Sequence, residues 1–193
     1  MAKVTDHPLP TRVFHNVHLL SMVVLGITGW YIHRPSPALS MDTVRWVHMA
    51  AGFVMLATLA GRVYYAFFGY WRDYREFSPV GPFWATLRYH LFLERSLPGT
   101  RKYNVLQVWS YLFTVLLLVL QALTGIALEW PDGSLGFVVL ATGGLANLRA
   151  VHHVFFWLFI SGTAVHLYLV LTESYDRFLL MMLGRATGQE GGR

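Results

Sequence analysis

Residues 149–174, RAVHHVFFWLFISGTAVHLYLVLTES, form an apolar run that is long enough to cross a membrane and yet contains three histidines. About 20 residues, each rising about 1.5 Å along a helix, span the hydrocarbon of a bilayer. An imidazole in that medium has polar nitrogens to satisfy, so His152, His153 and His166 indicate a functional role. This stretch therefore predicts both the class of the fold and the kind of site.

The spacing of these histidines separates two of them from the third. His152 and His166 lie 14 residues apart, which at about 100° per residue is about 40° short of four full turns. On one helix they share a face and are separated by about 21 Å along the axis. His153 is rotated by about 140° from His166. We interpret His152 and His166 as two ligands at two depths, and His153 as a neighbour.

The composition excludes a soluble domain. Of the 193 residues 55% are hydrophobic and only 13% are charged, which indicates a small integral membrane protein. The net charge of +5 is more typical of membrane topology than of nucleic-acid binding. The absence of cysteine excludes a cysteine-ligated iron–sulfur cluster, a disulfide and the attachment motif of a c-type haem. Residues 1–10 do not resemble a cleavable signal, so the first apolar run is expected to remain a membrane helix.

Four apolar runs predict four membrane helices, at about 13–32, 44–68, 105–130 and 150–172. We expect an all-α membrane protein, a four-transmembrane-helix bundle, forming one domain over residues 1–193. The link at 69–104 contains PFWATLRYHLFLE, which predicts an interfacial helix or, alternatively, a covering loop. The loop at 131–148 contains an apolar run that is too short to cross.

The basic residues predict the orientation. Of the 15 Lys and Arg, 12 fall on the side that holds both termini and the link, whereas Arg34, Arg45 and Arg149 fall on the other. By the positive-inside rule, both termini and the link are cytoplasmic and the 131–148 loop is on the outer side. The expected location is the bacterial cytoplasmic (inner) membrane, surrounded by lipid.

This topology pairs the histidines by depth. His48 begins helix two on the outer side, level with His152, and His15 or His18 on helix one lies about level with His166. A zinc site would need three or four ligands converging on one point. Two histidine pairs at two depths without a carboxylate instead suit two bis-histidine haems, whose filled axial positions favour electron transfer.

Arginines and glycines accompany the histidines. Arg12, Arg45 and Arg149 each lie three residues before a candidate ligand, where they would pair with haem propionates or, alternatively, snorkel at a helix end. Several helices contain glycines that would admit a flat macrocycle or simply a neighbouring helix: Gly26, Gly29, Gly52, Gly61, Gly125 and Gly162. No internal repeat is evident.

The chain resembles a known family over most of its length. The matching segments are RVFHNVHLLSMVVLGITGWYI, RWVHMAAGFVMLATLAGRVYYAFFGY, KYNVLQVWSYLFTVLLLVLQALTGIAL and LRAVHHVFFWLFISGTAVHLYLVL. They are similar to the b-type cytochrome subunit of membrane-bound nickel–iron hydrogenases, related to the cytochrome b subunits of formate dehydrogenase and thiosulfate reductase and to bacterial cytochrome b561. The Thr-Gly ends of helices one and three and H-x13-H followed by Leu-Tyr are part of this pattern.

The resemblance implies specific site residues. By position it implies axial haem ligands at His15, His48, His152 and His166, with His48 paired to His152 and His15 to His166, while His18 does not match. It also implies quinone contacts near the cytoplasmic-side haem, at Asn104 and Gln107. Asn16 departs from the tryptophan usual after the first ligand, which puts the packing around that haem in question.

The expected function is that of a membrane anchor and electron conduit with two haem b groups. It would accept electrons from the iron–sulfur small subunit of a hydrogenase, with its large subunit, at the outer face and reduce a quinone, menaquinone or ubiquinone. Rival functions are the cytochrome b subunit of a formate dehydrogenase or of a thiosulfate or molybdopterin reductase, and a stand-alone cytochrome b561. From another class comes a haem-free anchor or a proton-relaying transporter. A higher-order oligomer with its partners is a further expectation.

Overall fold

A computed structural model describes residues 7–70, 72, 74, 77, 79–96, 103–173 and 175–184. These residues form seven helices and no strand: α1 (Leu9–His33), α2 (Met41–Phe68), α3 (Phe83–His90), α4 (Val105–Glu129), α5 (Gly136–Ala141), α6 (Leu145–Glu173) and α7 (Tyr175–Leu183). Four of them, α1, α2, α4 and α6, are long and apolar enough to cross a membrane. The predicted class, an all-α membrane protein with four spanning helices, is confirmed.

Helix α1 shows how proline sets both of its ends. It begins at Leu9, four residues before the predicted start, because Pro10 lies in the first turn, where a missing N–H does no harm. It ends at His33, and Arg34 adopts a non-helical conformation. A residue that precedes proline, as Arg34 does, is disfavoured in the helical region.

Glycine and asparagine define the beginnings of the later spans. Gly143 and Gly144 have φ values of 82° and 114°, and their N–H groups bond the carbonyls of Leu140 and Val139. This is a Schellman-type end to α5, and it lets α6 begin at Leu145, five residues before the predicted start. Helix α4 begins with a capping box between Asn104 and Gln107.

The short helices differ in how well the sequence predicts them. Helix α3 lies within the stretch interpreted as an interfacial helix, with Trp84 72% exposed and Thr86 fully buried, although its place on a membrane surface stays a prediction. Helix α7 was not predicted, because its 9 residues are too few to span a bilayer. Helix α5 occupies part of the loop at 131–148.

The chain divides into two compact units, residues 1–64 with 163–193 and residues 65–162. In the first unit Val44, Met55, Leu59 and Leu180 form the buried apolar core, and α1 contacts α7. In the second unit the buried apolar residues belong to α4 and the start of α6, and α4 contacts α3 and α5: Val105, Val108, Leu117, Ala127 and Leu148. Helix α6 contributes residues to both units.

The spanning helices bury few of their own residues. None of the most apolar window of α6 is buried, and the corresponding shares are 6% in α1, 11% in α2 and 17% in α4. Apolar side chains that remain accessible over such lengths are suited to lipid. The predicted orientation stays a prediction, and six of the basic residues on which it depends lie outside the described residues: Lys3, Arg75, Arg101, Lys102, Arg185 and Arg193.

Candidate functional site

His48, near the start of α2, is held by two consecutive residues of α1. Its Nδ1 lies 2.8 Å from the hydroxyl oxygen of Thr28, and that hydroxyl lies 2.6 Å from the carbonyl oxygen of Val24, to which it donates. The next residue, Gly29, faces the same ring so closely that a Cβ there would lie 3.3 Å from Cε1 of His48. Thr28 thus orients the ring, and Gly29 leaves room for it.

His152, on α6, is held in the same way by α4. Its Nδ1 lies 2.7 Å from the hydroxyl oxygen of Thr124, which in turn lies 2.7 Å from the carbonyl oxygen of Leu120. A Cβ on Gly125 would lie 3.4 Å from Cε1 of His152. The two units therefore repeat one arrangement, a Thr-Gly pair on one helix and a histidine on the other, although no repeat was evident in the sequence.

The neighbours of His152 complete its surroundings. The side-chain amide nitrogen of Gln121 also lies 2.8 Å from Nδ1 of His152, because its oxygen accepts from the backbone N–H of Phe156 at 2.9 Å. His153 points elsewhere: Trp157 donates from Nε1 to Nε2 of His153 at 3.0 Å. This contact, one turn along the same helix, gives His153 a local structural role.

The N-terminal half of α1 carries polar atoms that are buried without a hydrogen-bond partner. They include Nδ1 of His15 and Nε2 of His18. His15 interacts electrostatically with His166, which is the pairing expected from depth. His18 instead hydrogen-bonds the backbone of Met55, and because its Nε2 has no such partner, this bond uses Nδ1.

His15 and His18 therefore differ in two properties that a ligand needs. His15 lies near the expected partner His166. His18 has the carbonyl bond at Nδ1 that metal-bound histidines usually make, with Nε2 left over. His15 thus has the position expected of a ligand, whereas His18 has the hydrogen bond expected of one.

The candidate propionate contacts fall into two classes. Arg12 packs its guanidinium group against Gly184, which follows the last residue of α7 and has a φ of 72°. A cation near the carbonyl end of a helix is favourable, so this position also serves the fold. Arg45 and Arg149 are exposed near the starts of α2 and α6, where a propionate or lipid headgroup could reach them.

The candidate quinone contacts take part in capping. The side chain of Asn104 accepts from the backbone N–H of Gln107 at 2.8 Å, and the side chain of Gln107 accepts from the backbone N–H of Asn104 at 3.0 Å. The amide nitrogen of Asn104 lies 3.5 Å from Nε2 of His90. Both oxygens are therefore occupied at the start of α4, so only the amide nitrogens could donate to a ligand, and that of Asn104 already faces His90.

The residues present fit haem b. His48 and His152 each adjoin a glycine, and Nδ1 of His15 and Nε2 of His18 are buried without hydrogen-bond partners, as expected beside a bound group that the structure does not contain. Among the described residues no three His, Asp or Glu side chains form a group that could hold a metal ion. Imidazoles in pairs are the donor set of a bis-histidine haem.

Sequence reasoning identified the histidines but not what holds them. In the sequence, Thr28 and Thr124 stand out only as part of the Thr-Gly ends of their helices. Their contact with a histidine could have been suspected, because each Thr-Gly pair lies on the helix before a candidate ligand.

Comparisons with known proteins identify the family of the chain. The family model described as prokaryotic cytochrome b561 matches residues 6–185. The chain is 33% identical over 188 residues to the probable Ni/Fe-hydrogenase B-type cytochrome subunit of Azotobacter vinelandii, covering 85% of this chain and 78% of that protein. It is 28% identical over 189 residues to the subunit so named from Rhodobacter capsulatus, with coverage of 85% and 72%. For the probable Ni/Fe-hydrogenase 1 B-type cytochrome subunit of Escherichia coli (strain K12) the identity is 26% over 190 residues, with coverage of 85% and 80%.

Proposed function

The chain belongs to the prokaryotic cytochrome b561 family, and we propose that it is the membrane-anchored cytochrome b subunit of a nickel–iron hydrogenase. In this role it accepts electrons at the outer face of the bacterial inner membrane from the iron–sulfur small subunit, which is bound to the large subunit. It delivers them, by way of two haem b groups, to menaquinone or ubiquinone near the cytoplasmic face. The names of the related proteins, which are hydrogenase cytochrome subunits, support the hydrogenase partner.

The observation that carries the proposal is the repeated placement of His48 and His152. Each lies beside a Thr-Gly pair that orients the ring, and depth predicts that the two share one haem. His166 and His15 are proposed for the other haem, and their electrostatic interaction supports this pairing. Bound haem b supplies one-electron exchange between ferric and ferrous iron.

The remaining residues have supporting roles in this proposal. Arg45 and Arg149 bind propionates at the outer end, and Arg12 at the inner end in addition to its contact with α7. The amide nitrogen of Asn104 donates to a quinone carbonyl, with Gln107 holding the Asn104 backbone in place.

Purification from membranes tests the proposal directly. We expect reduced b-type absorption bands, two haems per chain, copurification with a nickel–iron large and small subunit, and hydrogen-dependent reduction of both haems and of added quinone. A purified chain without b-type bands would refute the haem assignment. Copurification with a formate dehydrogenase or a molybdopterin reductase would refute the hydrogenase partner and leave the haem assignment standing.

A further inference from the structure

Thr28 has more than a packing role beside the candidate haem ligand His48. We propose that this threonine is a positioning residue: its hydroxyl holds the proton of His48 on Nδ1 and thereby lowers the reduction potential of the haem that His48 binds. The inference rests on the proposed function for the ligand role of His48. It concerns side chains of α1 and α2.

The direction of the hydrogen bonds follows from counting protons. A threonine hydroxyl has one proton and two lone pairs. Thr28 donates its proton to the carbonyl oxygen of Val24 at 2.6 Å, since a carbonyl can only accept. Towards His48 the same oxygen therefore presents a lone pair, and at 2.8 Å it accepts the proton of Nδ1.

In a neutral imidazole only one nitrogen carries a proton, so His48 keeps Nε2 as the nitrogen with a free lone pair. The surroundings of His152 differ. The hydroxyl of Thr124 lies 2.7 Å from its Nδ1, but the amide nitrogen of Gln121 faces the same atom at 2.8 Å. The inference therefore concerns His48, whose Nδ1 has no such amide beside it.

Glycine leaves room for the ring in this orientation. At Gly29 an added Cβ would lie 3.3 Å from Cε1 of His48, close to the lower limit for carbon contacts. The Cε1 atom lies between the two ring nitrogens, so the glycine backbone flanks the ring while the hydroxyl of Thr28 holds Nδ1.

A partner at Nδ1 also changes the electronic character of a ligand. When Nδ1–H donates to an oxygen, the imidazole becomes a more basic ligand at Nε2. A more basic ligand stabilises ferric over ferrous iron, which lowers the reduction potential. Nδ1 of His15, by contrast, is buried without a hydrogen-bond partner. Thr28 therefore acts on the haem that His48 binds and leaves the other unaffected.

The test uses the isosteric variants Thr28→Val and Thr124→Val in the full chain purified with its partner subunits. We expect the potential of one haem to rise, with the ratio of reduced to oxidised iron changing by up to about tenfold, or about 59 mV for one electron. Thr124→Val should give a smaller change than Thr28→Val, because the amide nitrogen of Gln121 still faces Nδ1 of His152. Thr28→Ser should restore the parental potential, since serine keeps the hydroxyl.

Matched controls are available in the same helices. Thr58 on α2 bonds the carbonyls of Val54 and Met55, and Thr114 on α4 bonds that of Ser110, with no histidine bonded to either hydroxyl. Thr58→Val and Thr114→Val should leave both haem potentials unchanged. A shift in these controls as large as in Thr28→Val would refute the inference, because it would show that any lost hydroxyl has the same effect.

The inference and the proposed function fail in different ways. A parent protein without haem refutes the proposed function. A parent with two haems whose potentials do not change in Thr28→Val refutes only the inference. If Thr28→Val does not accumulate, the ¹⁵N chemical shifts of His48 in the haem-free parent still decide it, since a proton on Nε2 of His48 would overturn the tautomer assignment.

Discussion

A single methyl group added at Gly29 should displace the ring of His48. In Gly29→Ala the new Cβ lies 3.3 Å from Cε1 of His48, whereas carbon atoms in contact prefer about 3.5–4.0 Å. The ring must therefore move by a few tenths of an ångström. It cannot turn freely, because its Nδ1 is bonded at 2.8 Å to Thr28, the residue next to the substitution.

The expected magnitude is a balance between two known effects. Replacing glycine by alanine within a helix stabilises it by up to about 1 kcal/mol, and overpacking costs about 1–3 kcal/mol. Gly29→Ala alone should therefore destabilise the chain by about 0–2 kcal/mol. In a His48→Ala background the opposing ring is gone, so the same change should stabilise the chain by about 1 kcal/mol. The sign of the effect should reverse.

A double-mutant cycle of the haem-free proteins measures this coupling. Unfolding by sodium dodecyl sulfate, followed by circular dichroism, compares the parent, Gly29→Ala, His48→Ala and the double variant. We expect a coupling energy of about 1–3 kcal/mol, and a lower haem content of Gly29→Ala when haem is supplied. If Gly29→Ala stabilises both backgrounds equally, the close approach does not constrain the ring, and our reasoning on both Thr-Gly pairs is wrong.

Three further predictions concern the other candidate residues. By pyridine haemochrome assay, His166→Ala and His15→Ala should each retain one haem per chain, whereas His18→Ala should retain two. Two haems in His15→Ala would instead identify His18 as the ligand. Gly162→Ala adds a Cβ with no atom within 4 Å, so it should not lower the stability of the haem-free chain, and a reduced haem content would show that the glycine, one turn before His166, makes room for haem. Asn104→Asp should keep the cap of α4, because aspartate caps as well as asparagine, while Asn104→Ala should cost about 1 kcal/mol; a raised KM for quinone in Asn104→Asp supports the quinone contact, and an unchanged KM contradicts it.

The fold class could be predicted because a membrane imposes a single strong requirement on sequence. Each span needs about 20 apolar residues, and α1, α2, α4 and α6 all meet it. The helix starts were less predictable, since α6 begins with Asn147 and Arg149 in its first turns, which an apolar criterion omits. Their N–H and C=O groups join the helix all the same, after the turn at Gly143 and Gly144.

The contacts of the threonines with the histidines could not be predicted from the sequence, for a different reason. Thr28 lies 20 residues before His48, and Thr124 lies 28 residues before His152. The unequal spacing results from the connections between the helices, one of which contains α5, and no helical period relates the partners. A contact of this kind depends on how two helices pack, which periodicity within one helix does not encode.

The length of helix α6 affects how the membrane potential acts on electron transfer. It runs without interruption from Leu145 to Glu173, so its backbone fixes the separation of His152 and His166 at about 21 Å. That is about 70% of a hydrocarbon layer about 30 Å thick. An electron that moves inward over this distance, as we propose, works against about 1.6 kcal/mol for each 100 mV of membrane potential. The number of residues between two histidines thus determines how strongly the voltage across the membrane opposes electron delivery.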